Sequence, residues 1–520
     1  DELAAQDVPS RLQARDPSLW SDDRKAQNTI AQRLGWLPVV DAMLAEATGE
    51  SFAEFAGEVR SRGYEQAVLL GMGGSSLAPE VFSHVYGQRD GFPKLTVLDT
   101  TNPDTIARVA GEVRGKKTLF IVSTKSGTTV ETMSLFHYFL DERGGDGADF
   151  VAVTDPGTRL EEEAKQAGFW RVFSNPADIG GRYSALSYFG LVPAAAAGVD
   201  VERLLRSAAI MLPVHGTGHP GIWLGAVMGA AQRAGRNKLT LIASPGWEPF
   251  GDWLEQLIAE STGKDGVGII PVSGEPLAGP DAYGDDRLFV YLRGKTDTRE
   301  LDSAVAGFGS AGHPVVQIDV DDPSALGREF VRWEVATAVT GGLMGINPFD
   351  EANVQEAKDA TNAVLADPNA SVPESSAPDL AAVELLEMVK PRGYLAILAY
   401  VDRTPKVEQA LDELREALCK RTGVATTLGY GPRYLHSTGQ LHKGGPEDGT
   451  FLQIVATPSA SLVIPDAEYD FGTLFAAQWA GDAITLERHG LSFVRIDAGD
   501  DAVGAIEKIT NAVMAKESAV

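Results

Sequence analysis

Two loops in this chain carry more glycines and hydroxyls than chain reversal requires. Residues 71–76, GMGGSS, follow the apolar run QAVLL and precede a helical pattern. Glycines at such a turn let backbone N–H groups approach a ligand, and the start of the next helix favours an anion. Gly71 and Gly73 also fit the opening of a dinucleotide fingerprint, with Asp99 closing the next apolar run as a ribose acid, but Ser76 stands at the third glycine position. Alone, this loop leaves a phosphate site, a dinucleotide site and a structural turn all open. The second loop, IVSTKSGTTVET at 121–132, ends an apolar run with Ser123, Thr124, Lys125, Ser126, Thr128 and Thr129 and then opens a helix. One side chain suffices to cap a helix. This many hydroxyls, with the local N–H groups, can wrap the oxygens of a phosphate monoester. GEVRGKKT at 111–118 is one residue short of a P-loop and precedes a strand pattern, so it is read as chance.

The elements that hold these loops follow one grammar. QAVLLGMGG (66–74), KLTVLDTTN (94–102), KTLFIVSTKSG (117–127) and DFVAVTDPG (149–157) are short continuous apolar runs ending in small polar residues. Such runs read as strands buried on both faces, and the stretches between them, such as SLAPEVFSHVYG and TTVETMSLFHYFLDER, read as helices. A second round begins near residue 200, with strands expected at NKLTLIASP, VGIIPVSGE, DRLFVYLRG and HPVVQIDVD, and helices at GDWLEQLIAESTGK and REFVRWEVATAVTGGLMG. The fold class is α/β, with two doubly wound parallel-sheet domains. The expected organisation is a helical N-terminal segment over 1–60, a phosphate-binding domain over 61–195, a second domain over 196–365, a Pro/Ser/Asp-rich linker over 366–379 and a C-terminal α/β extension over 380–520. Within the first segment Ser21 is the expected helix cap and Pro38 the expected interruption. In the last, GYLAILAYV and FLQIVAT read as strands, and ELREALCKRTG as a helix ended by Gly423, so the segment is either a third small domain or an extension of the second.

Composition bounds the function. Of 520 residues, 44% are hydrophobic, enough for a real core, while 45 Lys+Arg against 72 Asp+Glu give a net charge of −27. An acidic protein is a poor partner for nucleic acid, although a local pocket can still hold a small anion. The single Cys419 fits a reducing compartment. No apolar run of membrane-spanning length and no signal-peptide pattern is seen, so no membrane partner and a cytoplasmic location are expected. The start at Asp1 is what a part of a longer polypeptide would show.

The motifs together resemble glucose-6-phosphate isomerase, a family built from two sugar-isomerase (SIS) domains. Its G-x-G-G-S loop is matched by Gly71-Met72-Gly73-Gly74-Ser75, its phosphate loop and T-x-E-T by residues 124–132, and its G-G-R-Y-S by residues 180–184. Its Q-x-x-x-E-S-x-G-K is matched by Gln256, Glu260, Ser261, Gly263 and Lys264, and its I-N-x-F-D followed by Lys by residues 346–350 and Lys358. An H-S-x-G-Q segment is present as His436-Ser437-Thr438-Gly439-Gln440. The run RYLHSTGQLHKGG at 433–445 is most similar to the isomerase part of bifunctional transaldolase/glucose-6-phosphate isomerases. Two features depart from the family. The His segment follows the Lys segment instead of preceding it, and Glu351 stands where Gln is usual after N-x-F-D.

The resemblance implies a metal-independent aldose–ketose isomerase of glycolysis and gluconeogenesis, without a cofactor, acting through an enediolate. It implies Glu260 as the base between C2 and C1, a sensible choice because a partly desolvated carboxylate gains proton affinity. It implies His436 in ring opening, since imidazole titrates near neutrality, with Lys358 assisting. It implies Arg182 beside the developing oxyanion. Gly74, Ser75, Thr124, Lys125, Ser126 and Thr129 are implied at the phosphate and Gln256 at the sugar hydroxyls. His442 is the rival histidine, and its spacing from His436 gives no metal pair. Competing readings are a dual glucose/mannose phosphate isomerase and a non-catalytic sugar-phosphate sensor. The family is commonly dimeric, with the His segment crossing the interface, so a homodimer is one expectation. The relocated segment makes a site completed within one chain the other.

Overall fold

The computed structural model describes residues 2–295, 298–367 and 370–515, and these build three parallel sheets flanked by helices. The first holds β1 (Gln66–Gly71), β2 (Lys94–Leu98), β3 (Thr118–Ser123), β4 (Phe150–Thr154) and β5 (Arg171–Ser174) in the order β2-β1-β3-β4-β5. The second holds β6 (Lys238–Ala243), β7 (Ile270–Val272), β8 (Arg287–Arg293) and β9 (Val315–Asp319) in the order β7-β6-β8-β9. All neighbours in both run parallel, so helical crossovers cover both faces and the strands read as unbroken apolar runs. The fold is thus α/β and doubly wound. Strand order reverses between β1 and β3, where Gly71 pairs with Ser123. The loops leaving those two strands are GMGGSS and the hydroxyl-rich turn, so the topology sets them side by side at the carboxyl edge, where such sheets bind ligands.

Of the two forms open to the C-terminal segment, a third small domain or an extension of the second, the topology gives it a sheet of its own. It forms a third parallel sheet from β10 (Tyr394–Tyr400), β11 (Ala425–Tyr430), β12 (Gly449–Ala456) and β13 (Ser492–Gly499), in the order β11-β10-β12-β13. It has its own core, including Leu395, Ile397, Leu411, Leu452 and Ile506. The first two sheets and the N-terminal helices share another. A third apolar seam joins Ala259, Ile270 and Val272 to Tyr400, Tyr434 and Leu441. Each side chain buried there contributes up to about 1.5–3 kcal/mol. This seam seats the 433–441 segment against the helix that carries Glu260.

The N-terminal segment corrects two local expectations. Asp23, not Ser21, caps the helix Arg24–Ala31, its carboxylate accepting from the Ala26 N–H. Pro38 interrupts nothing: it lies in the first turn of the helix Trp36–Thr48, where its missing N–H costs no bond. The break falls earlier, at residues 32–35. Residues 370–377 of the expected linker have no regular structure before the helix Pro378–Met388, while 368 and 369 lie outside the described residues. Among the described residues no helix is long and apolar enough to cross a membrane.

Candidate active site

Three segments far apart in sequence press on the glycines of the first loop. A side chain at Gly74 would put its Cβ 2.0 Å from the Gly181 carbonyl oxygen. At Gly73, where φ is +53°, a Cβ would lie 2.8 Å from both Gln256 Nε2 and the His436 carbonyl oxygen. Only glycine allows this backbone conformation and this approach. The loop is therefore the meeting point of the 180–184, 256–264 and 433–440 motifs.

The cleft that results has a volume of about 530 Å³, and its walls include Gly74, Ser75, Thr124, Lys125, Ser126, Thr129, Glu260, Glu351, Lys358 and His436. At one end lies the turn between β3 and the helix Val130–Glu142. Thr124 and Thr129 hydroxyls meet at 2.9 Å, Thr128 Oγ1 donates to Ser126 Oγ at 3.1 Å, and the buried Ser123 hydroxyl has no partner. The first N–H groups of that helix face the same end without a side-chain cap, as an anion site requires. Lys125 is drawn away from this role. Its ammonium is ion-paired with Asp155 and donates to the Ala177 carbonyl at 2.9 Å. Arg33 and Lys358 also line the cleft, and neither is paired with a carboxylate among the described residues.

Glu260 sits near the end of the helix Pro249–Thr262, buried, with Oε2 making no hydrogen bond. Burial raises its proton affinity; the Arg182 charge opposes this and the Glu351 charge adds to it, leaving the carboxyl at about 7. Its Oε1 lies 3.2 Å from Arg182 Nη1. Arg182 itself does not line the cleft. It is 1% exposed and fully engaged: Nε donates to Ser261 Oγ at 2.8 Å, and Nη2 donates to the carbonyls of Pro348 at 2.7 Å and Asp350 at 3.0 Å. Its Nη1 also bonds Glu351 at 2.8 Å. Lys264 anchors the same loop through Asn347 O, Asp350 O and Asp350 Oδ1 at 2.7–2.8 Å, and burial lowers its ammonium to about 8.

His436 enters from the third sheet, on the short helical turn Arg433–His436 that follows β11. Arg433 holds this turn to the first sheet, paired with Glu80 and with Asp99 at 3.3 Å, so Asp99 is an anchor rather than a ribose acid. His436 Nε2 meets Glu131 Oε1 at 2.9 Å, and Gln478 Nε2 donates to the same oxygen at 2.7 Å. Burial alone would lower the imidazole's proton affinity, but the Glu131 carboxylate outweighs it and the group is raised. Gln256 lies behind the cleft wall, its amide donating to the His436 carbonyl at 2.8 Å, which positions the backbone of that turn. His442, the rival, is buried between Tyr434 and Phe451, and burial holds it neutral, at about 3. Glu131 and Arg33 were not found from sequence. Glu131 lies within the quoted T-x-E-T motif but reads there as an ordinary first-turn acid; Arg33 has no motif.

A buried carboxylate with one free oxygen, an imidazole held toward its charged form and a hydroxyl-lined anion end, all in one cleft, can move protons on a small phosphorylated substrate. The fold and the cleft thus define an α/β proton-transfer enzyme of the sugar-phosphate isomerase class. Comparison with known proteins agrees. The family profile described as phosphoglucose isomerase matches residues 49–216. A glucose-6-phosphate isomerase of Rubrobacter xylanophilus is 33% identical over 376 residues, covering 61% of this chain and 87% of that protein. One from Enterococcus faecalis is 26% identical over 363 residues, 58% of this chain and 81% of its own. Among solved structures, a glucose-6-phosphate isomerase from Chlamydia trachomatis superposes with a TM-score of 0.55 at 19% identity, over 69% of this chain and 79% of that one, a likeness of fold. The chain belongs to the glucose-6-phosphate isomerase family.

Proposed function

We propose that this chain interconverts glucose 6-phosphate and fructose 6-phosphate in the cytoplasm, as a step of glycolysis and gluconeogenesis. The observation that carries the reading is the free, buried Oε2 of Glu260 in the same cleft as His436 and the 123–129 turn. The turn and the helix start behind it hold the phosphate, with Arg33 and Lys358 supplying positive charge. His436, oriented by Glu131, carries the C1 hydroxyl proton to the ring oxygen as the C1–O5 bond breaks. Glu260 then takes the C2 proton; the electron pair forms the C1–C2 double bond and the C1 carbonyl becomes an enediol oxyanion. Passage of the O2 hydroxyl proton to O1 and return of the carbon-bound proton from Glu260 to C1 open the C1–C2 double bond, leave the carbonyl at C2 and regenerate the carboxylate. Arg182, buried behind Glu260, fixes the base and lends the site positive charge. Every step is a proton transfer, so no redox partner or co-substrate enters the balance. Coupled assays in both directions test the reading: absence of turnover with either hexose phosphate overturns it.

The acid side of the pH profile follows from the base. Glu260 must be ionised, and its carboxyl lies at about 7, so kcat/KM is expected to rise with pH with a midpoint about 7. A midpoint in the ordinary carboxylate range would remove Glu260 from the base role.

We also propose that one chain completes its own site. Glu260, His436 and Glu131 belong to one polypeptide and line or adjoin one cleft. A mixture of inactive Glu260→Gln and His436→Ala proteins is therefore expected to stay inactive. Recovered turnover on mixing would establish sites shared between copies.

A further inference from the structure

Arg182 offers one nitrogen to two carboxylates. Nε and Nη2 are committed to Ser261 and to the Pro348 and Asp350 carbonyls. Nη1 is left, and it meets Glu351 at 2.8 Å and Glu260 at 3.2 Å. Glu351 holds the closer contact. It also lines the cleft and is more exposed than the base, with side-chain exposures of 31% and 11%. Because both acids sit on one nitrogen, their oxygens are no more than roughly 6 Å apart, close enough for repulsion felt most at the buried Glu260.

We propose that Glu351 is a positioning residue that tunes the base: by occupying Arg182 Nη1 it withdraws part of the guanidinium charge from Glu260, adds a second negative charge beside it, and so keeps the carboxylate strongly basic. A neutral amide at position 351 would accept the same N–H without that charge. The carboxylate found here thus makes a stronger base that titrates at higher pH. The other groups around Glu260 are accounted for. Gln256 and Lys264 flank it on its own segment, Tyr183 meets the neighbouring Ser261, Asp350 pairs with Lys264, and His436 and Lys358 line the same cleft. Among the described residues, Glu351 is the acid that shares the counter-ion of Glu260.

This inference rests on the isomerase reading, and the test separates the two. In Glu351→Gln the acid limb of kcat/KM is expected to move down by about one pH unit. One unit below the parent's midpoint, the variant then keeps a roughly fivefold larger share of its plateau activity. Glu351→Asp, which retains the charge, is expected to keep its limb with the parent. A Glu351→Gln limb that coincides with the parent's, or a Glu351→Asp limb that moves as far as that of Glu351→Gln, overturns the proposal. Thermal unfolding checks that each variant is folded, and Glu351→Ser serves as a second uncharged variant. Infrared titration of the protonated carboxyl band, assigned by its loss in Glu260→Gln, gives a readout without turnover. If no variant or parent isomerises either sugar phosphate, the functional reading fails. A band midpoint that still falls in Glu351→Gln then supports the tuning, and an unmoved one overturns it.

Discussion

Glu260→Gln is expected to lower kcat about a thousandfold in both directions, with KM changed less than about threefold. The amide keeps the shape and can still accept from Arg182, so the cleft and the anion end stay as they are. What it loses is the ability to carry the C2 proton. The loss should be specific to the chemical step, because Glu260 Oε2 has no other partner to disappoint. Exchange of the substrate's C2 hydrogen with solvent, measured beside turnover, should fall in parallel. Turnover within about tenfold of the parent would mean that another group is the base.

The second large effect is on stability. Arg182→Met is expected to cost about 3–5 kcal/mol, read from the denaturant midpoint at unchanged slope, and to abolish measurable activity. Four partners besides Glu260 bond this buried guanidinium: Ser261, Pro348, Asp350 and Glu351. Removing it strands two carboxylates beside each other, takes the donor from the Pro348 carbonyl and leaves the Asp350 carbonyl to Lys264 alone. Arg182→Lys keeps the charge but not the planar fork, and should recover only part of the loss. A cost under about 1 kcal/mol would show that the loop holds itself without the cation.

Much of this arrangement was legible in the chain because it is local. The runs before Gly71 and Ser123 mark β1 and β3, and parallel pairing of those strands is enough to bring the two loops together. The glycines at 73 and 74 signal close approach, which the sequence assigns to a ligand and the fold assigns first to Gly181, Gln256 and His436. The parts that escaped depend on contacts across the fold. Glu131 looks like any acid at a helix start; only the arrival of His436 from 305 positions away gives it a partner. Lys125 belongs to the phosphate loop by sequence, but Asp155 and the Ala177 carbonyl, brought in by neighbouring loops, claim its ammonium. The choice between His436 and His442 could not be made from spacing, whereas burial among aromatic rings makes it at once. β11 and β13 escape the apolar-run pattern because ATTLGY and SFVRIDAG are mixed in polarity, and β5 escapes it as a short edge strand with partly exposed side chains.

The Glu131–His436 bond has a consequence for the birth of the protein. The ribosome releases the base, the anion cradle and the guanidinium long before it releases the imidazole. The Glu131–His436 contact therefore cannot form until the segment that follows β11 has emerged, whatever the earlier segments have already built.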